Sequence, residues 1–327
     1  MKIIQPNVQF IPMPTDKASL LKHIERCGRV CYKSEDKIEE GSAEKFIAGI
    51  IKRGHEAVLE HGAIILKIRV RDWAVTQNDI QLLETDSDFR SFLRFTFDEL
   101  RPIVSGNIRA WRDFLYAHRC RFKYIPTFAK WMVKSYPELF PEFLDCVDDT
   151  DLIAVKPPAE LYPTDLVTAN EKLNHQYQTL LFTCDRGVSH ELVRHRPASF
   201  CQESTRYCNY GKDGFGNQVT FIQPCYFVPD SSGQKLWEYA CKVSENIYLD
   251  LLSRGFTPQE ARAVLPNSLK TELMMTTHLG EWRHVTKLRC SKAAHPQARE
   301  VASMGLSTLE HHFPDIFSDL WEEFCDD

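Results

Sequence analysis

The segment 194–207, RHRPASFCQESTRY, constrains this chain of 327 residues more than any other part of it. The side chains of Arg194, His195 and Arg196 cannot all face a core, because buried charge without a partner is costly, and Pro197 prevents one helix from running through. Hydroxyl and amide side chains and another arginine follow, and guanidinium forks with short neutral donors suit phosphate recognition. The segment therefore predicts a phosphate or pyrophosphate site, although a solvated basic turn would also fit.

The composition predicts a globular protein with a sizeable core. Hydrophobic residues make up 43% of the chain and charged residues 26%, which is close to globular averages. The formal net charge of −5 argues against bulk electrostatic binding of nucleic acid, so a phosphate site has to be a local basic cluster. No run of about 18 apolar residues predicts a transmembrane helix, and the N-terminus makes a poor signal peptide. We expect no nucleic-acid partner and no membrane association.

The eleven cysteines are scattered, odd in number and without a CxxC pair. This pattern favours free thiols in a reducing cytosol over a disulfide framework or a zinc ribbon. Cys27 and Cys31 are four residues apart, but no second pair completes four ligands. We therefore expect a cytoplasmic protein without a metal site.

Helix and strand signals alternate near the N-terminus. Helices are predicted at about 15–28 and from about 43, the second with Ser42 as N-cap and Gly54 at its end. Residues 61–71, HGAIILKIRVR, alternate apolar and basic side chains, which is typical of a half-buried strand.

The signals from residue 175 onward are mostly helical. A strand at 175–184 precedes a turn and short helix in DRGVSHELVRHR, then a loop, then a strand in QVTFIQPCYF. A helix at about 232–254 carries one apolar stripe, formed by Leu236, Ala240, Val243, Ile247 and Leu251. The capping box at 257–260, with proline at the first helical position, starts another helix. The C-terminal third is predicted to be helical throughout.

Residues 72–174 differ in composition and periodicity from the rest of the chain. They are rich in aromatic and charged residues, are mostly helical in period and end in KPPAELYPTD. We interpret them as a helical insertion that returns to the sheet near His175, within a single domain spanning 1–327. An independent second domain is the alternative.

Four segments together resemble one family, the flavin-dependent thymidylate synthases. RHR followed by seven residues and Ser, with the trailing Arg-Tyr, is similar to their signature. GHEAVLEH (54–61), EARAVLP (260–266) and LRCSKAAHPQARE (288–300) resemble further family segments in order and spacing. The similarity covers 20–71 and 175–312. It implies an α/β fold of the α+β type, with a central, mainly antiparallel sheet flanked by helices.

The resemblance also implies a reaction. Such an enzyme methylates dUMP to dTMP, with 5,10-methylenetetrahydrofolate as carbon donor and FAD, reduced by NADPH, as hydride donor. The family is a homotetramer with sites built between subunits. No enzyme cysteine need attack the pyrimidine, and the Pro-Cys pair at Cys225 carries little weight.

The resemblance assigns flavin contacts to several histidines that could also have purely structural roles. His55 could be a helix C-cap partner, and His278 and His284 could be helix-surface histidines. The implied cofactor-binding residues are His55, Arg194, His195, Arg196, Gln202, His278 and His284.

The resemblance likewise assigns the nucleotide contacts. Ser204 and Arg206 match residues on the 5′-phosphate of dUMP, and Arg262, which could be an ordinary exposed helix residue, matches a dUMP-binding arginine. Arg289 matches a catalytic arginine against the uracil ring, where a guanidinium favours the enolate-like form and raises electron density at C5. The implied dUMP-binding residues are Glu191, Arg194, Gln202, Glu203, Ser204, Thr205, Arg206, Arg262 and Arg289.

Two residues depart from the family pattern, and two rival functions stand beside the synthase. Cys31 stands where relatives often have Ser, and Cys201 where Asn or Ser is common. A non-catalytic nucleotide- or RNA-binding protein that uses the 194–206 cluster is the main rival, and it predicts no bound flavin. A flavoenzyme acting on another pyrimidine is the second. No GxGxxG or P-loop motif supports the common dinucleotide and triphosphate folds.

Overall fold

The structure, a computed structural model, describes residues 1–68, 93–96, 102–119, 125, 127–147 and 159–325. Its strands are β1 (Lys2–Ile4), β2 (Asn7–Ile11), β3 (Ala63–Lys67), β4 (Leu93–Thr96), β5 (Ile103–Asn107), β6 (Ala159–Leu161), β7 (Tyr177–Asp185), β8 (Ser199–Gln202), β9 (Thr220–Ile222) and β10 (Lys270–His278). Its helices are α1 (Lys17–Val30), α2 (Ser42–Lys52), α3 (Ile108–Ala117), α4 (Thr127–Ser135), α5 (Ala169–His175), α6 (Arg186–Leu192), α7 (Ser232–Ser253), α8 (Pro258–Ala261), α9 (Leu279–Arg289), α10 (Pro296–His312) and α11 (Pro314–Cys325). Short 3₁₀ helices include Glu56–His61 and Arg262–Val264.

A four-stranded antiparallel sheet in the order β2-β7-β10-β8 forms the centre of the fold. β7 and β10 pair over their full length, from Lys270 opposite Asp185 to His278 opposite Tyr177. Nearly all residues of both strands are buried. The predicted α+β fold with a mainly antiparallel sheet is confirmed.

The central sheet separates two hydrophobic clusters. Successive side chains of a strand point to opposite faces, so Leu181 and Met274 pack with α1 to α4 on one face. Leu180, Leu273 and Met275 pack with α6 and α9 to α11 on the other face. Helices therefore flank the sheet on both sides.

A second antiparallel sheet, in the order β4-β5-β3-β6, adds strands that the sequence did not predict to the described part of the 72–174 segment. Three of its strands come from that segment, beside α3 and α4. β5 and β6 pair with the two edges of β3, which would otherwise present unpaired backbone groups, and β4 pairs with β5. The described part of the segment thus mixes strands with helices, and the division into one domain with an insertion stays a prediction.

Several element boundaries differ from the sequence-based expectations. The C-terminal third is not helical throughout, because it contains β10, whose pairing with β7 and β8 outweighs the helix preference of its Leu, Met and Glu residues. β8 lies in the predicted loop, and only β9 forms within QVTFIQPCYF. Gly41, at φ 71°, precedes α2 in place of the predicted cap Ser42, which is the first helical residue.

The apolar stripe predicted on α7 faces away from the core of the chain. Leu236 is 69% exposed and Ile247 45% exposed, whereas Cys241, Glu245 and Tyr248 are buried. The described residues contain no helix long and apolar enough to span a membrane.

Arg112 on α3 joins the 72–174 segment to the GHEAVLEH segment. Its side chain has no exposed surface. It donates to both carboxylate oxygens of Glu56 at 3.1 Å, to Glu142 at 2.7 Å and to the carbonyl of Leu139 at 2.5 Å. A fork of five N–H donors can satisfy all of these acceptors at once.

Replacing Arg112 is expected to destabilise the fold strongly. Arg112→Met leaves two partly buried carboxylates without their cation, a change that typically costs about 3–5 kcal/mol. Arg254→Met is the matched control, because Arg254 and Asp250 form an exposed ion pair of a kind that contributes about 0–1 kcal/mol. Urea unfolding followed by tryptophan fluorescence measures both losses. Similar losses in the two variants would show that Arg112 is not a structural anchor.

Candidate active site

The two central strands each end in a residue that caps the following helix. Asp185 accepts a hydrogen bond from the backbone N–H of Val188 at 2.8 Å and starts α6. His278 accepts one from Glu281 at 3.1 Å and starts α9. Because β7 and β10 are antiparallel, the two helices begin at opposite ends of the sheet. The end of α6 meets α9.

Arg289, at the end of α9, holds this meeting point together. Its Nε donates to Nε2 of His195 at 3.0 Å, its Nη2 donates to the backbone carbonyl of Glu191 at 2.7 Å, and its Nη1 donates to the Glu191 carboxylate. Nδ1 of His195 lies 3.8 Å from Glu281. Three positions assigned by resemblance, Glu191, His195 and Arg289, are therefore in direct contact.

The described residues contain one group that could in principle hold a metal ion, formed by His195, Glu281 and His284. Nε2 of His195 accepts from Arg289, so the neutral ring carries its proton on Nδ1, facing Glu281. That tautomer leaves no lone pair on His195 for a cation. The group therefore favours a hydrogen-bonded chain over a metal site.

Arg194 and Arg196 lie on the surface beside this group. Arg194 is 70% exposed, and its nearest carboxylate, Glu191, is 3.9 Å away. Arg196 is also exposed, and among the described residues no carboxylate lies within 4 Å of it. Two guanidinium groups are thus available to an anionic ligand.

The loop after β8 gathers a second set of predicted contacts. Nη1 of Arg262 donates to the hydroxyl of Thr205 at 3.0 Å. The hydroxyl of Ser204 accepts from the backbone N–H of Arg206 at 3.3 Å, and the guanidinium of Arg206 lies over the ring of Tyr207. Hydroxyls and two guanidiniums therefore lie close together, as a phosphate site needs.

Gln202 and Glu203 are bound inside the protein. Nε2 of Gln202 donates to the hydroxyl of Ser189 at 2.8 Å. The buried carboxylate of Glu203 accepts from Lys270 and Tyr210, each at 2.9 Å. In this geometry the Glu203 carboxylate supports the loop and does not face a ligand.

The other three predicted flavin histidines, besides His195, lie in different environments. His55 is exposed and immediately precedes the 3₁₀ helix Glu56–His61. His284 is exposed on α9, and its ring centroid lies 6.0 Å from that of His195. His278 is 7% exposed, so it is a buried cap and not a helix-surface residue.

Cys31 and Cys201, the two departures noted above, contact each other below the Ser204 loop. Their thiols form a hydrogen bond that lowers the pKa of Cys31 and raises the pKa of the fully buried Cys201. The backbone carbonyl of Cys31 accepts from the N–H of Ser204 at 3.0 Å. The C-terminal end of α1 therefore helps to fix the loop that carries the predicted phosphate contacts.

A cleft of about 370 Å³ opens beside Glu191. None of its other polar residues was predicted as a site residue, although His295 and Gln297 lie in the LRCSKAAHPQARE segment. The polar lining also includes Asp185 at the end of β7, His190 on α6, and Tyr226 and Asn267, and only the fold brings these residues together.

The part of the chain that builds the Arg289 contacts and the Ser204 loop is similar to a known family. Residues 169–315 match the family model "Thymidylate synthase complementing protein". The predicted resemblance is confirmed. The matched residues, 169–315, are called the family segment below. They run from α5 into α11 and contain the Arg289 contacts, the Ser204 loop and Arg262.

Individual relatives support the same resemblance. The chain is 34% identical over 134 residues to a flavin-dependent thymidylate synthase of Geobacter sulfurreducens, covering 41% of this chain and 56% of the relative. It is 33% identical over 119 residues to the flavin-dependent thymidylate synthase of Pyrococcus furiosus, covering 36% and 48%. The chain thus spans about half the length of the curated relatives it matches.

Similarity to solved structures is weaker. The crystal structure of a UMP/dUMP methylase from Streptomyces cacaoi, bound with 5-Br dUMP, aligns over 99% of this chain and 98% of its own. The sequence identity is 15% and the TM-score is 0.41. This likeness is too low to support an argument about the site.

Four buried histidines make the stability of the protein depend on pH. Burial is the largest cause of the lowered pKa in each case, and it brings the value to about 3 for His61 and about 4 for His23, His175 and His278. These histidines are therefore neutral in the folded protein at neutral pH.

Stability is expected to fall as the pH is lowered from about 6.5 to about 4. In this window the unfolded chain binds protons on these histidines and the folded chain does not, whereas above about 6.5 neither state does. His278→Asn keeps a good N-cap and removes one such group, so the slope of unfolding free energy against pH should decrease by about 1 kcal/mol per pH unit. His284→Asn, exposed on the same helix, is the control and should leave the slope unchanged. An unaltered slope in His278→Asn would contradict the burial argument.

Proposed function

We propose that the protein is a flavin-dependent thymidylate synthase that methylates dUMP to dTMP. The carbon donor is 5,10-methylenetetrahydrofolate, and the hydride that completes the methyl group comes from FAD reduced by NADPH. The observation that carries the proposal is the contact of Arg289 with both Glu191 and His195, within the segment that matches the family.

The chemistry of the donor set fits FAD. Arg194 and Arg196 offer exposed guanidiniums to its two phosphates. His55, His195, Gln202, His278 and His284 complete the cofactor-binding set that we propose. Positive charge near a flavin stabilises its anionic reduced form, which suits a hydride donor.

Arg289 is the residue that we propose acts on the pyrimidine. Glu191 and His195 use three of its five N–H donors and thereby fix the plane of its guanidinium. The remaining N–H groups can face a uracil oxygen. A donor that need not reorganise then stabilises the negative oxygen of the enolate-like form, which is the form that is electron-rich at C5 before it attacks the one-carbon unit.

The Ser204 loop supplies the phosphate end of the nucleotide site. Ser204, Thr205 and Arg206 follow one another in this loop, and Arg262 contacts the Thr205 hydroxyl, so the loop offers two hydroxyls and two cations to a phosphate. Ser204 acts as a ligand-binding hydroxyl, because no general base lies against it among the described residues. Gln202 and Glu203 hold the loop from the protein side.

We further propose that copies of this chain assemble into a homotetramer in the cytoplasm. Arg196 precedes β8 and Arg289 lies beside that end, whereas the Ser204 loop follows the other end, about 10 Å further along the strand. The two halves of the proposed ligand set therefore lie at different ends of one strand. The stripe on α7, of which Leu236, Val243 and Ile247 are exposed, supports assembly because large exposed apolar patches mark contact surfaces.

The absorbance spectrum of the purified protein tests this proposal. A flavin band is expected that NADPH bleaches anaerobically and that dUMP perturbs, because cofactor and nucleotide share a site. Tritium release from C5-labelled dUMP, dependent on methylenetetrahydrofolate, then confirms methyl transfer. A protein that stays colourless after incubation with FAD would overturn the proposal and favour the non-catalytic nucleotide-binding alternative. A flavin spectrum that dUMP does not alter would favour a flavoenzyme for another pyrimidine.

Substitutions are expected to separate the two ends of the nucleotide. Arg289→Lys keeps the charge but loses the planar fork, so turnover at saturating dUMP should fall about 10²–10³-fold while bound flavin is retained. Ser204→Ala with Arg206→Gln should raise the Kd for dUMP about 10- to 100-fold. Arg283→Gln is the matched control on α9, since the contacts of Arg283 among the described residues are with Asp319 and the carbonyl of Ile316. Full turnover in Arg289→Lys would refute the role of Arg289.

A further inference from the structure

A small buried cavity lies where the 72–174 segment meets the family segment. Arg94 on β4 and Asn107 line one side of it, and Tyr177, Ser199 and His278 line the other. Ser199 follows the RHRPA turn directly, and His278 is one of the proposed flavin contacts. The cavity therefore adjoins the proposed cofactor site although part of its wall comes from outside the segment that matches the family.

Arg94 brings an incompletely bonded guanidinium to this cavity. Its Nη2 donates to Oδ1 of Asn174 at 2.9 Å. Its Nε is fully buried and has no hydrogen-bond partner among the described residues. A buried donor without an acceptor costs free energy, so this position is suited to receive an acceptor from a ligand.

The electrostatic surroundings of Arg94 favour an anionic acceptor. Among the described residues no carboxylate lies within 4 Å of its guanidinium, and Glu281 and Tyr177 are the acidic groups that act on it from further away. His278 carries no compensating negative charge. Burial lowers the pKa of Arg94, which is the response of a cation that has lost water without gaining a counterion.

The size of the cavity restricts which part of a ligand can enter. Its volume is about 20 Å³, which is room for one water-sized atom and too little for an aromatic ring. A single phosphate oxygen satisfies both the size and the charge. A flavin ring or a uracil ring does not.

We propose that Arg94 binds an oxygen of the FAD diphosphate, so that the 72–174 segment contributes a cofactor-binding residue. The inference rests on the proposed function, because it requires FAD. Arg194 and Arg196 bind the diphosphate from the exposed side, and Arg94 binds it from the buried side. The segment then completes the dinucleotide site in addition to covering β3.

Binding of FAD and of riboflavin, followed by flavin fluorescence, tests this inference without measuring activity. Arg94→Gln should weaken FAD binding about 10- to 100-fold, as expected for the loss of one charge-assisted hydrogen bond. Binding of riboflavin, which has no phosphate, should not change. Arg94→Lys should recover part of the FAD affinity because it restores the charge. Arg119→Gln is the matched control, since Arg119 is exposed in the same segment.

The outcomes separate this inference from the proposed function. Normal FAD affinity in Arg94→Gln would overturn the inference alone. Equal weakening of FAD and riboflavin would also overturn it, by showing that Arg94 only supports the fold. The unfolding midpoint of each variant identifies such a structural loss independently. Absence of flavin binding in the unsubstituted protein would overturn the proposed function and the inference with it.

Discussion

The antiparallel pairing of β7 with β10 is the constraint on which the rest of the molecule depends. Lys270 lies opposite Asp185 and His278 lies opposite Tyr177, so each strand delivers its last residue to the opposite end of the sheet. Asp185 and His278 then cap α6 and α9. A register shift of one residue would reverse the faces of every side chain and would separate the ends of these helices. The contact between α6 and α9 is therefore a consequence of strand register.

That contact concentrates charge at one place. Arg289 is shared between Glu191 and His195, and Glu281 faces the other nitrogen of the same ring. Each member fixes the orientation of the next, so the guanidinium is positioned before a substrate arrives. Preorganised donors of this kind account for large parts of catalytic rate enhancement. Arg194, beside this chain of contacts, stays 70% exposed, because the Glu191 carboxylate is already engaged by Arg289.

The 72–174 segment is part of this arrangement and not an appendage. The ring nitrogens of His175 are hydrogen-bonded to the hydroxyls of Ser105 at 2.8 Å and Thr96 at 2.7 Å. These bonds join β5 and β4 to the end of α5. Arg112 ties α3 to Glu56. The second sheet is thereby fixed against the family segment, and this is what allows a residue of β4 to reach the proposed cofactor site.

The sequence by itself determined the local features: the capping box at 257–260, the helices near 17–30 and 232–253, and the basic segment that carries the resemblance to the family. These depend on neighbouring residues, so their signals are readable along the chain. Only the tertiary structure decided that 270–278 is a strand, because pairing on both edges overrides the preference of Leu and Met for helix. Likewise, the contacts of Arg94 and Arg112 join residues that are 27 to 80 positions apart. Burial and partner geometry at such separations leave no periodic pattern in a sequence, and they appear only when the sheets and helices pack.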